Sequence, residues 1–142
     1  MAGVAERWNP WRALRENEHL SLVFADLGEG RGRIEDHGDG TRTIYLDASL
    51  SRTERSAVLG HEVVHGELDL LWTDDTPDHV VSRGERRVDQ IVAERLVPAD
   101  ELAALIDRLV GIDVGVSSAE VAEHFDVPEL VARRALQFFR GA

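Results

Sequence analysis

Cysteine and lysine are both absent from this chain of 142 residues, in which all 16 basic side chains are Arg. The lack of cysteine excludes disulfide bonds, thiolate nucleophiles and zinc fingers built on cysteine. Any metal site must therefore take its ligands from His, Asp and Glu.

Long apolar runs are also missing. No run approaches the roughly 18 residues that a membrane-spanning helix needs. Residues 1–9 have neither the apolar stretch nor the cleavage pattern of a signal peptide. We therefore expect a cytoplasmic protein that has no association with membranes.

Positive charge is scarce as well. The 27 acidic residues outnumber the 16 basic ones and give a formal net charge of −11. A field of this sign repels a phosphate backbone, which disfavours direct nucleic-acid binding. Residues 119–136 have the pattern of a helix-turn-helix, but acidic side chains there oppose the arginines. We predict helical packing for this tail, and a DNA-binding regulator is the weakest of the functional hypotheses.

The apolar pattern changes from strand-like to helical near Ser51. Before it, the turn sequence 37–40 predicts a hairpin, because its two glycines allow positive φ. After it, Ser51 to Glu54 form a capping box that opens a helix. The predicted strands are 20–25, 33–36 and 41–46. The predicted helices are 9–19, 52–66, 83–97, 101–110, 117–125 and 128–139.

These elements predict an α+β fold in a single domain of residues 1–142. A short antiparallel sheet of about three strands packs on the helix that begins at Arg52. A helical C-terminal part of about residues 99–142 follows. The acidic segment 69–82 and the glycine-containing segment 111–115 are predicted to be loops.

His61-Glu62-Val63-Val64-His65 forms an HExxH motif inside the second predicted helix. Residues four apart lie on one helix face, so both imidazoles can reach one metal ion. Glu62 is turned by about 100° on the helical wheel. It can therefore reach a water at the metal without being a ligand. The motif predicts one Zn²⁺ per chain, with Glu62 as the base that activates water.

A carboxylate for a third ligand follows at Glu85 on the next predicted helix. Asp89 lies one turn further on the same face, where it can accept a ring N–H from a ligand histidine. Several carboxylates surround Glu85, so Asp89 is the alternative ligand. The acidic residues 74, 75 and 78 could form a second metal site, but a solvated acidic loop explains them better. For the histidine pair alone, without Glu62, Glu85 and Asp89, two structural histidines would be the better explanation.

The combined pattern, HExxH and then ExxxD, resembles the gluzincin metallopeptidases. Three stretches, 44–55, 58–65 and 85–98, are similar to the ImmA/IrrE family of small bacterial and phage metallopeptidases. The resemblance implies a small zincin-like domain with His61, His65 and Glu85 as zinc ligands. It also implies that Glu62 is the catalytic base and that the substrate is a helix-turn-helix transcriptional repressor, cleaved in trans.

Other functional assignments stay open. Tyr45 and His79, or equally His37 and His124, could donate a hydrogen bond to the oxyanion. An extended substrate could add to the edge of the strand that ends near Leu46. The aromatic residues, Trp72 among them, are predicted to be core. A contrasting hypothesis is a non-catalytic, zinc-stabilised binding module that sequesters a repressor or an antitoxin-like partner.

Overall fold

A computed structural model describes residues 7–110 and 116–140. Its three strands are β1 (Leu20–Ala25), β2 (Gly32–Asp36) and β3 (Arg42–Asp47). The helices within the described ranges are α1 (Pro10–Glu16), α2 (Arg52–Glu67), α3 (Asp78–Leu96), α4 (Ala99–Val110), α5 (Ser118–Phe125) and α6 (Glu129–Arg140). The predicted α+β class with a three-stranded sheet is confirmed. The predicted connection 111–115 lies outside the described residues.

The sheet is mixed, whereas we had predicted an antiparallel one. Its order is β1-β3-β2, with β3 parallel to β1 and antiparallel to β2. The chain reverses direction after β1 and again after β2, so β1 and β3 run the same way. Because β3 lies in the centre of the sheet, the strand that ends near Leu46 has no free edge. The prediction that a substrate adds to that strand is therefore wrong, and the free edges belong to β1 and β2.

Helix α2 begins as the capping box predicts. The Ser51 side chain accepts a hydrogen bond from the Glu54 backbone, and the Glu54 side chain accepts one from the Ser51 backbone. The helix then runs between two hydrophobic clusters. Leu59 and Val63 pack toward the sheet, while Val64 packs toward the C-terminal helices. The remaining face of α2 carries His61.

Helix α3 begins at Asp78, five residues before the predicted start at Arg83. Pro77 precedes the first turn with a φ of −59°, which suits a helix start, and Asp78 places a negative charge at the positive end of the helix dipole. Asp78, one of the aspartates on which the loop prediction rested, is therefore the first residue of a helix. Helix α4 likewise begins at Ala99 rather than Glu101.

The C-terminal helices form the larger hydrophobic cluster. Helix α6 packs on α3 and α5, and Val121, Phe125 and Val131 are buried among them. This packing brings α6 beside the same face of α3 that carries Asp89. Within the described ranges, no helix combines the length and the apolar character that crossing a membrane would require.

Candidate metal centre

Helix α2 presents His61 and His65 on one face, one turn apart. Their Nε2 atoms are 3.2 Å apart, and the ring centroids are separated by 4.8 Å. The His65 side chain is almost fully buried, whereas the His61 side chain is 23% exposed. The i, i+4 spacing therefore directs two imidazole nitrogens to one point at the end of a cleft.

Glu85 on α3 completes a group of three donors. Its Oε2 lies 2.9 Å from Nε2 of His61, and its Oε1 lies 2.9 Å from Nε2 of His65. One ligand atom from each of the three residues lies within 4.8 Å of the others. In the described part of the chain this is the one group of three such donors, and the side chains of Asp74, Asp75 and Asp78 are exposed.

Each of the three residues is held by a second contact. Asp89 Oδ1 lies 3.0 Å from Nδ1 of His61. The carbonyl of Leu70 lies 2.7 Å from Nδ1 of His65. A carbonyl can only accept, so His65 must donate from Nδ1, and its neutral form then keeps a lone pair on Nε2. The same argument holds for His61 beside the Asp89 carboxylate.

The third residue, Glu85, is held by an aromatic donor. The indole Nε1 of Trp72 donates a hydrogen bond of 2.8 Å to Glu85 Oε1. Two imidazole nitrogens and one carboxylate oxygen form a donor set that suits Zn²⁺ and leaves a further position open. The predicted ligands, His61, His65 and Glu85, therefore suit the predicted Zn²⁺.

The two histidines and Glu85 stabilise one another's charged forms. Burial lowers the pKa of His61, but contacts with Asp89 and Glu85 outweigh burial and raise it from 6.5 to about 9. Burial opposes the charge of His65 too, yet hydrogen bonding to Glu85 raises its pKa. Burial favours neutral Glu85, but hydrogen bonds from His61 and His65 hold its pKa well below its usual range. Positive charge is thus favoured at the point where the three side chains meet.

Glu62 lies next to this group, with 6% of its surface exposed. Burial raises the pKa of Glu62, against the opposing effect of His61 and His65. Within residues 7–110 and 116–140, no donor hydrogen-bonds its carboxylate. The carboxylate is therefore a stronger base than an exposed one, and its oxygens are available to a water molecule.

Two clefts meet at His61, Glu62 and Glu85. The first, of about 390 Å³, runs between α2, α3 and α6 and has apolar walls that include Val58, Val92 and Val131. The second, of about 560 Å³, follows all five residues of β2 and ends at Leu70 to Trp72. Gly32 lines both clefts, at the start of the edge strand β2. The arrangement can hold an extended chain that passes over the three donors.

The structure does not bring the predicted oxyanion candidates to the site. Neither Tyr45 nor His79 lines either cleft. The Tyr45 ring packs under the Arg33 guanidinium, 4.6 Å from its centroid, and His79 is exposed at the start of α3. His37 forms a hydrogen bond of 2.7 Å with Thr43, and the His124 ring meets the Phe125 ring edge-on.

Sequence reasoning missed several residues of the site. Trp72, which we predicted to be core, is half-buried and contacts Glu85 and His65. Arg134 on α6 lines the first cleft, and its Nη1 lies 3.3 Å from Oδ1 of Asp89. One local signal was present, because Gly84 stands inside a helix, where glycine often marks a close contact.

Two imidazoles and a carboxylate that converge beside a buried glutamate define a metallopeptidase-like domain. The chain belongs to the IrrE N-terminal-like domain family (Peptidase_M78), whose sequence model matches residues 15–137. This match confirms the resemblance inferred from the motifs, and it covers the sheet and the C-terminal helices alike. No curated protein matches the chain.

Proposed function

We propose that this protein is a zinc-dependent endopeptidase that hydrolyses a peptide bond in a protein partner. The convergence of His61, His65 and Glu85 within 4.8 Å, beside a buried Glu62, is the observation that carries the proposal. The family match supports it, because the family is one of metallopeptidase-like domains. A purely structural metal site would have no need of a buried carboxylate at Glu62.

The proposed roles follow from the contacts. His61, His65 and Glu85 hold the zinc ion, while Asp89 and the Leu70 carbonyl orient the two imidazoles. When bound, zinc polarises the scissile carbonyl and lowers the pKa of water toward about 7. Glu62 takes a proton from the attacking water and delivers it to the leaving nitrogen.

The substrate in this proposal is an extended segment that adds to the free edge of β2. That edge borders the second cleft along its whole length, and Gly32 brings the start of β2 next to Glu62. Backbone hydrogen bonds to an edge strand bind an extended peptide with little dependence on its sequence. Side chains that enter the two clefts would then determine specificity.

We propose as partner a helix-turn-helix transcriptional repressor in the cytoplasm, whose cleavage relieves repression of a mobile element or a stress response. This part of the proposal depends on the family resemblance. The test is incubation with the repressor that is encoded nearest to this gene, followed by mass analysis of the fragments.

Glu62→Gln provides the decisive variant. It should bind zinc as the wild type does and lose about 10²–10⁴-fold in cleavage rate, because the general base is gone. Glu67→Gln is a matched control, since Glu67 is an exposed carboxylate at the C-terminal end of α2 that pairs with Arg95 and lines neither cleft. Cleavage by Glu62→Gln at the control rate would refute the assigned base. A wild type that binds the repressor and zinc without cutting would instead indicate the sequestering module.

A further inference from the structure

The segment between α2 and α3 contacts two of the three candidate ligands. Its beginning is fixed by Arg42 of β3, which donates to the Gly66 carbonyl at 2.9 Å and to Asp69 Oδ1 at 2.5 Å. Asp69 has a φ of +53°, a left-handed conformation that turns the chain back toward α2. The turn places the Leu70 carbonyl on His65 and carries the chain on to Trp72.

The Trp72 indole lies directly against the backbone of α3. A Cβ atom at Gly84 would lie 2.3 Å from Cη2 and 2.5 Å from Cζ2 of that ring. Carbon atoms cannot approach so closely, so a side chain at position 84 would displace the ring. Gly84 therefore forms a socket for the indole, one residue before Glu85.

The socket orients the indole toward the site. Its Nε1 donates to Glu85 Oε1 at 2.8 Å, and its ring meets His65 edge-on at a centroid distance of 5.9 Å. The Glu85 side chain is 33% exposed and flexible, so it loses conformational freedom when it is fixed at the site. An indole nitrogen can only donate, which fixes one carboxylate oxygen in a single direction.

We propose that Trp72 is a positioning residue for Glu85 and that Trp72, seated on Gly84, sets the affinity of the site for zinc. The inference rests on the zinc site of the proposed function, but it requires no peptidase activity. Groups that orient a metal ligand typically contribute about 10–100-fold to metal affinity. Trp72 is expected to act in this range by keeping Glu85 directed at the two imidazoles.

The test compares three variants of the full-length protein. Trp72→Phe keeps an aromatic ring and removes the N–H donor. Gly84→Ala keeps Trp72 and displaces its ring. Trp11→Phe is the matched control, because it removes an indole donor that bonds Ser56 at 3.0 Å, and neither Trp11 nor Ser56 lines the two clefts. Zinc affinity is measured by competition with a chelator, and cobalt is substituted for zinc to record the visible absorption of the site.

Trp72→Phe and Gly84→Ala should each weaken zinc binding by about 10–100-fold and shift the cobalt spectrum, because Glu85 coordinates differently. Trp11→Phe should change neither quantity. If Trp72→Phe lowers only the melting temperature and leaves the affinity and the cobalt spectrum unchanged, Trp72 is structural and the inference is wrong. A wild type that binds no zinc would overturn both proposals. Zinc binding without any cleavage would overturn the peptidase alone.

Discussion

The two sides of helix α2 are built differently. The side toward the sheet has a small cluster whose buried members are Ile44, Leu46, Leu59 and Val63. Among the described residues, the side toward the C-terminal helices has a cluster of 15 buried residues, drawn mainly from α3 to α6. The larger cluster fixes α3, and α3 carries Glu85 and Asp89. The smaller one fixes the sheet, whose edge strand β2 borders the second cleft.

We infer that the two sides of α2 have separate functions. The helical side completes the metal site, since Glu85 and Asp89 contact the two histidines from α3. In the proposed function the sheet side offers the edge for substrate, and Gly32 of β2 lies against Val58 and Glu62 of α2. We therefore expect changes on the helical side to weaken metal binding. Changes on the sheet side should impair cleavage while the metal stays bound.

The largest effect is expected from Glu85→Ala on the helical side. The variant loses one of three ligands and leaves two histidines, so the purified protein should contain almost no zinc and should not cleave. Glu94→Ala on the exposed side of α3 is the control, because its side chain accepts a hydrogen bond from Gln90 of the same helix and lines neither cleft. A zinc content near that of the control, measured by atomic absorption, would exclude Glu85 as a ligand and favour Asp89.

Gly32→Ala tests the sheet side. A Cβ at this position would lie 2.5 Å from Cγ1 of Val58 and 3.3 Å from the Tyr45 carbonyl oxygen, so the Val58 side chain or β2 must shift beside Glu62. A displacement of about 1 Å near reacting groups can cost about 100-fold in rate, so kcat/KM should fall by about this factor while the zinc content stays unchanged. Gly30→Ala is the control, because its nearest contact would be an ordinary 3.5 Å. Loss of zinc from Gly32→Ala would show that the two sides are not separable.

The HExxH half of this site could be predicted from sequence because its determinants are local. The capping box at Ser51 and the spacing of His61 and His65 both lie within one helix. Glu85 and Asp89 could be predicted in the same way, from their spacing on a second helix. The α+β class followed from the change in apolar pattern near Ser51.

The remaining features depend on contacts between elements that are distant in sequence. The central position of β3 follows from the pairing of three strands, which periodicity does not specify. The contact between Trp72 and Glu85 depends on how the segment after α2 turns at Asp69. Arg134 reaches Asp89 only because α6 packs on α3. Local patterns do not specify these three features, since even Gly84, which signals a close contact within α3, does not identify Trp72 as its partner.

Asp89→Ala is expected to have an intermediate effect on the helical side. It removes the carboxylate that faces Nδ1 of His61, so the ring loses its fixed orientation. Zinc affinity or activity should fall by about 10–100-fold. Asp100→Ala is an exposed control on α4. Equal zinc affinities of the two variants, measured by competition with a chelator, would mean that Asp89 does not support the metal site.

The most gradual effect is a pH dependence in which zinc affinity and stability change in opposite directions. Folding raises the pKa of His61 from 6.5 to about 9, so its protonation stabilises the metal-free protein. That contribution is complete below about pH 6.5 and is lost as pH rises toward about 9. The melting temperature of the chelator-treated protein should therefore fall over this range.

Zinc requires a neutral imidazole, so the proton that stabilises the metal-free fold competes with the metal. Zinc affinity should rise by about tenfold per pH unit, for one displaced proton, until pH reaches about 9. Chelator competition and thermal melts on the same samples measure the two trends together. If the zinc affinity rises with pH while the melting temperature falls, both trends belong to His61, which Glu85 and Asp89 contact on the helical side of α2. A flat zinc affinity over this range would mean that His61 does not bind the metal.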